Sequence, residues 1–200
     1  MVTESEQFHL EILNSLSDVA ASDWNSLLPF DAGPFLKYEF LSSLEETGCV
    51  GNNTGWQTAH LVLKSDQGMV GAIPLYLKQH SYGEYVFDWS WAQAYEQQGM
   101  NYYPKALCAI PFTPVQGSRL LVKPELDRTL FTSKLIAGLK SLVQNNHLSS
   151  AHVLFPKEEE IELLKAHGFL LRDSVQFHWQ NQNYKDFDQF LIPMTIPIQR

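Results

Sequence analysis

Glu84 and Asp88 stand four residues apart in a segment that mixes acids, amines and aromatic rings as a plain core would not. Residues 76–117 read YLKQHSYGEYVFDWSWAQAYEQQGMNYYPKALCAIPFTPVQG, with six tyrosines, two tryptophans, two phenylalanines and a pair of lysines. Four residues is close to a whole period of both helix and strand, so the two carboxylates share a face in either conformation. In a strand Tyr85, Phe87 and Trp89 face the other way. A carboxylate held against aromatic walls resists ionisation and can accept the proton of an attacking amine. The alternative is a salt-bridged pair, with Lys78 or Lys105 as partner.

Every buried Tyr or Trp brings a polar atom that needs a partner, and a ligand cleft is where rings and a few polar groups belong together. His80, Tyr82, Tyr85, Trp91, Tyr95, Tyr102, Tyr103 and Lys105 are therefore candidate walls of a groove for an elongated amine- or peptide-bearing substrate. Lys105 could pair with a substrate carboxylate or phosphate as a point charge. The competing role for the same residues is the packed inner wall of this segment. His80, Glu84 and Asp88 fall at i, i+4 and i+8, but a helix through Ser81, Tyr82 and Gly83 is poor, and no metal site is expected. Cys108 sits in an apolar strand and reads as core. Ser81 and Ser90 lack a nucleophile-elbow context.

The elements around this segment follow from periodicity and turn residues. Residues 8–13 alternate as a strand. Ser22 or Asp23 caps a short helix with Trp24, Leu27 and Leu28. Asp31 and Pro34 open a second helix that Gly48 stops. Residues 58–64 and 69–78 form two strands joined by the SDQG turn, with an edge or bulge at Pro74. Residues 85–89 are expected extended, 91–98 helical, 105–112 a strand, and 119–122 its continuation or neighbour. Asp127 caps the longest helix, with Leu130, Phe131, Leu135, Ile136, Leu139, Leu142 and Val143 on its stripe. Residues 152–155 form a short strand, 157–167 a helix, 169–179 one bent strand or two, and 184–191 the start of another helix.

Composition narrows the classes. The apolar share of 44% is ordinary for a globular protein. No apolar run approaches the ~20 residues of a membrane span. The acidic N-terminus does not read as a signal peptide, and two cysteines are too few for a disulfide framework. A cytoplasmic location is expected. A net charge of −8 repels nucleic acid and anionic membrane, so no nucleic acid is expected to bind through this part of the protein.

The words LKQHSYGEYVFDWSWAQAYEQQG and YYPKALCAIPFTPVQGSRLL resemble those of the FemAB-like proteins, a branch of the GNAT (acyl-CoA N-acyltransferase-like) superfamily. The resemblance runs from about Trp24 to about Leu191. It implies an α/β (α+β) fold, a GNAT-like mixed sheet flanked by helices, with an aromatic-rich insert between the strands expected at 69–78 and 105–112. It implies an acyl- or aminoacyltransferase acting on an amine acceptor such as a peptidoglycan precursor, with aminoacyl-tRNA or acetyl-CoA as possible donor. Glu84 or Asp88 would be the base. The alternatives are a non-catalytic domain that binds peptide or peptidoglycan, and an acetyl-CoA-dependent N-acetyltransferase. Gln116, Gly117 and Arg119 weakly echo the loop that holds the CoA pyrophosphate in GNAT enzymes, but Glu125 and Asp127 stand where that anion would sit.

Residues 1–180 are expected to form the GNAT-like domain. Residues 181–200 are expected to be a tail or the start of a second such domain, cut short where Pro193 and Pro197 prevent a helical continuation.

Overall fold

The computed structural model describes residues 7–86 and 88–192. The expectations for the first residues, for Phe87 and for Pro193 and Pro197 lie outside them. Two four-stranded sheets carry the fold. The first contains β1 (His9–Leu13), β3 (His60–Ser65), β4 (Gly68–Ile73) and β7 (Leu121–Val122), in the order β1-β3-β4-β7. The second contains β2 (Trp56–Thr58), β5 (Leu75–Lys78), β6 (Lys105–Cys108) and β8 (Ala151–Val153), in the order β2-β5-β6-β8. All neighbours are antiparallel except β6 and β8. The helices are α1 (Ala21–Asn25), α2 (Tyr38–Glu46), α3 (Trp89–Gln97), α4 (Arg128–Asn145), α5 (Glu158–Ala166) and α6 (Phe187–Leu191).

Alternation along β3 explains the layers. Leu61 and Leu63 face one core with Phe131, Leu135, Ile136 and Leu139 of α4, while Val62 between them faces a second core with Trp24, Leu27 and Leu41 beneath α1 and α2. Trp24 is buried outright and its indole N–H donates to the Leu36 carbonyl at 2.9 Å, which answers the polar atom that burial would strand. Helix α4 lies close on the first sheet at Gly138, where a Cβ would come within 2.4 Å of Leu10 Cδ1. Asp127 caps this helix through the Leu130 N–H at 3.0 Å, as its sequence predicts.

Several expectations need correction. Residues 58–64 are two strands, broken at Ala59. Residues 69–78 are likewise β4 and β5, and Pro74 marks the passage of the chain from one sheet to the other rather than a bulge within one. With no N–H to give to a ladder, proline suits that crossing point. At the same seam the Leu75 N–H donates to His60 Nδ1 at 3.1 Å. Neither Ser22 nor Asp23 caps α1, whose N-cap is Ala20. The strand expected over 105–112 ends at Cys108. Tyr85, Val86 and Asp88 are in no strand: Tyr85 has φ +58° and Trp89 already begins α3. Residues 169–179 pair with no strand among the described residues.

Candidate functional site

The second sheet has one face on the α4 core and another covered by residues 80–103. Trp56 and Lys78 are register partners, as are Lys78 and Lys105 and, on the parallel side, Leu107 and His152. Cross-strand partners share a face, so these strands bring two lysines, a tryptophan and a histidine under the aromatic segment. Both lysines are closed off from water. Two cations opposite each other would repel, and the covering segment supplies the compensation.

Lys105 Nζ donates to Glu84 Oε2 at 2.9 Å, to Asp88 Oδ2 at 2.6 Å and to Ser81 Oγ at 2.9 Å. Tyr102 OH also donates to Asp88 Oδ2, at 2.7 Å, and Ser81 Oγ shares a hydrogen bond of 2.8 Å with Tyr103 OH. Glu84 and Asp88 are both buried, and each keeps one carboxylate oxygen without a protein partner: Oε1 and Oδ1. An orphaned buried acceptor is costly in a core and is a place where a ligand or proton can be received.

The two acids differ in their hold on a proton. Burial pushes Glu84 above the ordinary carboxylate range; the ammonium of Lys105 opposes this, and the charge of Asp88 adds to it. Burial acts on Asp88 in the same direction, but hydrogen bonds from Lys105, Tyr102 and Ser81 outweigh it and leave that carboxyl below the usual range. Two carboxylates with proton affinities driven apart are the pattern that separates a base from a fixed charge.

Lys78 is the residue that sequence reasoning placed only as a salt partner. Its Nζ lies 3.6 Å from the Trp56 ring centre and donates to the Tyr82 carbonyl at 3.2 Å. Burial lowers it to about 7, Glu84 pulls it up and Lys105 lowers it further. His152, at the start of the short strand expected over 152–155, belongs to the same neighbourhood: burial and the charge of Lys105 lower it to about 4, so the ring is neutral, and its Nε2 lies 2.9 Å from Ser150 Oγ. The signal for Lys78 was its spacing from Tyr76 on a short strand, which puts it on the same face as that ring.

The structure thus gathers Glu84, Asp88, Tyr102, Tyr103 and Lys105 into one cluster. Tyr95 packs edge-on to Tyr102 at 5.2 Å from outside it. His80 meets Tyr82 edge-on, and Tyr82 is exposed together with Tyr85 and Trp91. The concave face expected at the acids is filled by Lys105 and the rings. A cavity of about 430 Å³ lies instead beside Tyr85, lined also by Pro114, Gln176, Phe177, His178 and Trp179. No group of three His, Cys, Asp or Glu among the described residues is arranged to hold a metal.

Gln116, Gly117 and Arg119 are committed elsewhere. Arg119 is buried, and its guanidinium donates to the carbonyls of Leu154, Ser118 and Val115. Gln116 donates to the Pro156 carbonyl at 3.2 Å, and the Gly117 N–H to that of Phe155 at 3.1 Å. The backbone N–H groups of Arg119 and Leu120 point at the carboxylate of Glu160, which Arg128 also reaches at 3.0 Å. Glu160 therefore occupies donors that an anion could otherwise use, and the residues present do not fit a pyrophosphate.

Comparison with known proteins agrees with this architecture. Residues 15–197 match the profile of the FemAB-like family, described as peptidoglycan biosynthesis/recognition. No curated protein matches. Among solved structures, the aminoglycoside N-acetyltransferase AAC(6')-Iy in complex with CoA superposes with a TM-score of 0.50 at 13% identity, covering 90% of this chain and 99% of that one. An aminoglycoside acetyltransferase from an uncultured soil metagenomic sample, in complex with sisomicin, gives 0.49 at 14% identity over 88% and 97%. A Trypanosoma brucei acetyltransferase gives 0.47 at 15% identity over 88% and 100%. The fold is that of the GNAT acetyltransferases. No helix among the described residues is long and apolar enough to cross a membrane.

Proposed function

The chain belongs to the FemAB-like family, and we propose that it transfers an acyl or aminoacyl group to an amine on a peptidoglycan precursor or related peptide. The observation that carries this reading is Glu84: a buried carboxylate with raised proton affinity, one oxygen fixed by Lys105 and the other without a partner. In the proposed step the acceptor amine gives a proton to Glu84 Oε1 as its nitrogen forms the new C–N bond. The acyl–oxygen bond of the donor ester breaks, and the proton passes on to that leaving group. Lys105 keeps Glu84 oriented, and Asp88, whose ionised form is favoured, balances the Lys105 charge. Tyr85 follows Glu84 directly and lines the 430 Å³ cavity, but Glu84 itself does not, so the acceptor amine reaches Oε1 only where the packed cluster around Lys105 parts. The left-handed φ of +58° at Tyr85 is a strain that a bulky residue adopts only under local constraint, and such strain clusters at functional sites.

The CoA of the acetyltransferase neighbour is a property of that protein. Since Gln116, Gly117, Arg119 and Glu160 do not fit a pyrophosphate, no step here runs through CoA, and an aminoacyl ester is the donor favoured. A non-catalytic recognition domain is the second reading. The observation in its favour is that Lys105 and the rings fill the face around both acids.

The deciding experiment incubates the chain with a muropeptide bearing a free side-chain amine and, in separate reactions, an aminoacyl-tRNA or acetyl-CoA, and weighs the acceptor by mass spectrometry. An added aminoacyl mass that depends on Glu84 is expected. A muropeptide that binds in calorimetry but gains no mass with either donor would replace the enzyme reading with the recognition one.

A further inference from the structure

Residues 169–184, FLLRDSVQFHWQNQNY, have the alternation of a strand, yet they hold no helix and pair with no strand among the described residues. Within this run Leu170 is 89%, Val175 79%, Phe177 97% and Trp179 64% exposed. The run is tied to the rest of the chain by polar contacts: Gln176 donates to the Pro114 carbonyl at 2.8 Å, and the Arg172 guanidinium lies 5.5 Å from the centre of the Trp91 ring. At its far end Trp179 stacks on Tyr184 and meets Phe190 edge-on at 5.9 Å, so the rings there brace one another. Phe169 packs against the α4 core, and beyond it the apolar side chains of the run are left bare.

We infer that this run is the face on which a second copy of the chain packs. Size is the first argument. With ~200 Å² for a full aromatic side chain, the exposed parts of Leu171 (53% exposed), Val175, Phe177 and Trp179, which alternation puts on one side of the run, come to roughly 550 Å² on one copy. A two-fold arrangement sets the same patch against itself, doubling the covered area to roughly 1,100 Å², just past the ~1,000 Å² that a specific interface clears. That is at the upper end of the largest apolar patch a monomer ordinarily leaves open, about 300–600 Å².

Charge is the second argument. The chain carries −8 overall, so two copies repel across most of their surfaces. Residues 169–184 contain one arginine and one aspartate and no other formal charge. This neutral stretch is where two acidic copies can approach without that penalty. Its content of Trp, Phe, Tyr and Arg is also that of interface centres rather than of rims.

The test is sedimentation velocity and light scattering on the whole chain, from micromolar to hundreds of micromolar. A two-copy species is expected, with Phe177→Asp and Trp179→Asp each weakening its dissociation constant by about 30-fold or more. Both side chains are exposed in one copy, so circular dichroism of the variants should match the parent. Phe30→Asp, the same change at an exposed ring outside the run, should leave association unaltered. A one-copy mass at every concentration overturns the inference. So does open-ended aggregation without a two-copy species, or a dimer indifferent to Phe177→Asp and Trp179→Asp.

Discussion

Lys105 Nζ stands 2.9 Å from Glu84 Oε2, with both groups closed off from water and the chain between them folded over one face of the second sheet. An ion pair so placed is costly to break from one side, because the survivor is left charged and dry. Lys105→Met should lower unfolding stability by about 3–5 kcal/mol at neutral pH. Adding Glu84→Gln and Asp88→Asn to it should recover much of that loss. Urea titration of the single and triple variants measures both.

Glu84→Gln separates the catalytic role from the structural one. The amide keeps a bond to Lys105 but cannot take a proton, so acyl transfer should fall by at least about 100-fold, with acceptor binding little changed. In the parent, burial holds Glu84 above the usual carboxylate range, and the base works only when ionised. The acidic limb of the rate profile should therefore lie above ~4.3, the ordinary value for glutamate. Equal rates in parent and variant would remove Glu84 from the reaction.

Lys78 gives a stability signature of its own. Its folded value near 7 lies below the ordinary lysine value of 10.5, so the folded state favours the neutral amine. As pH falls from 10.5 towards 7, the unfolded chain takes up a proton that the folded chain refuses, and stability declines through that window. Below about 7 the penalty is constant. Lys78→Met should abolish this slope and raise stability at pH 6, since the Tyr82 carbonyl that Lys78 leaves keeps the Trp56 indole N–H at 3.1 Å. Thermal melts between pH 6 and 10.5 would expose the difference; parallel curves for the two proteins would contradict it.

Glu160 supports the loop before β7. Removing its carboxylate in Glu160→Ala strands the N–H groups of Arg119 and Leu120, at about 1–3 kcal/mol for each buried donor. Chemical denaturation should show a loss of that order. With those donors occupied in the parent, acetyl-CoA should cause no thermal shift, and a clear shift would show that the cofactor finds another seat.

Much of the fold can be read from local pattern. The α4 stripe, its Asp127 cap and the β3–β4 hairpin rest on residues close in sequence, and Lys105 was already paired with the two acids as one of two alternatives. What escaped reading depends on distant partners. Residues 169–179 have a strand's period, but period reports which face a side chain takes and not whether another strand lies alongside. Pro74 announces a break in a ladder without telling that the chain changes sheets there. The burial of Lys78 and the membership of His152 require β2, β5, β6 and β8 to be aligned first. Trp89 was expected at the end of an extended run and instead begins α3, because nothing local distinguishes the two on so aromatic a stretch.

Ala59 and Pro74 mark adjacent crossings, and there the two sheets are stitched by an imidazole rather than by a continuous ladder. The seam is thinly hydrogen-bonded: the Ala59–Leu75 backbone bond and the His60 contact cross it, while the core shared by Leu61, Leu63, Ile73, Leu75, Ala106 and Cys108 holds the two sheets together there. Amide hydrogen exchange should accordingly be quicker at Leu75 than at its flanking ladder neighbours.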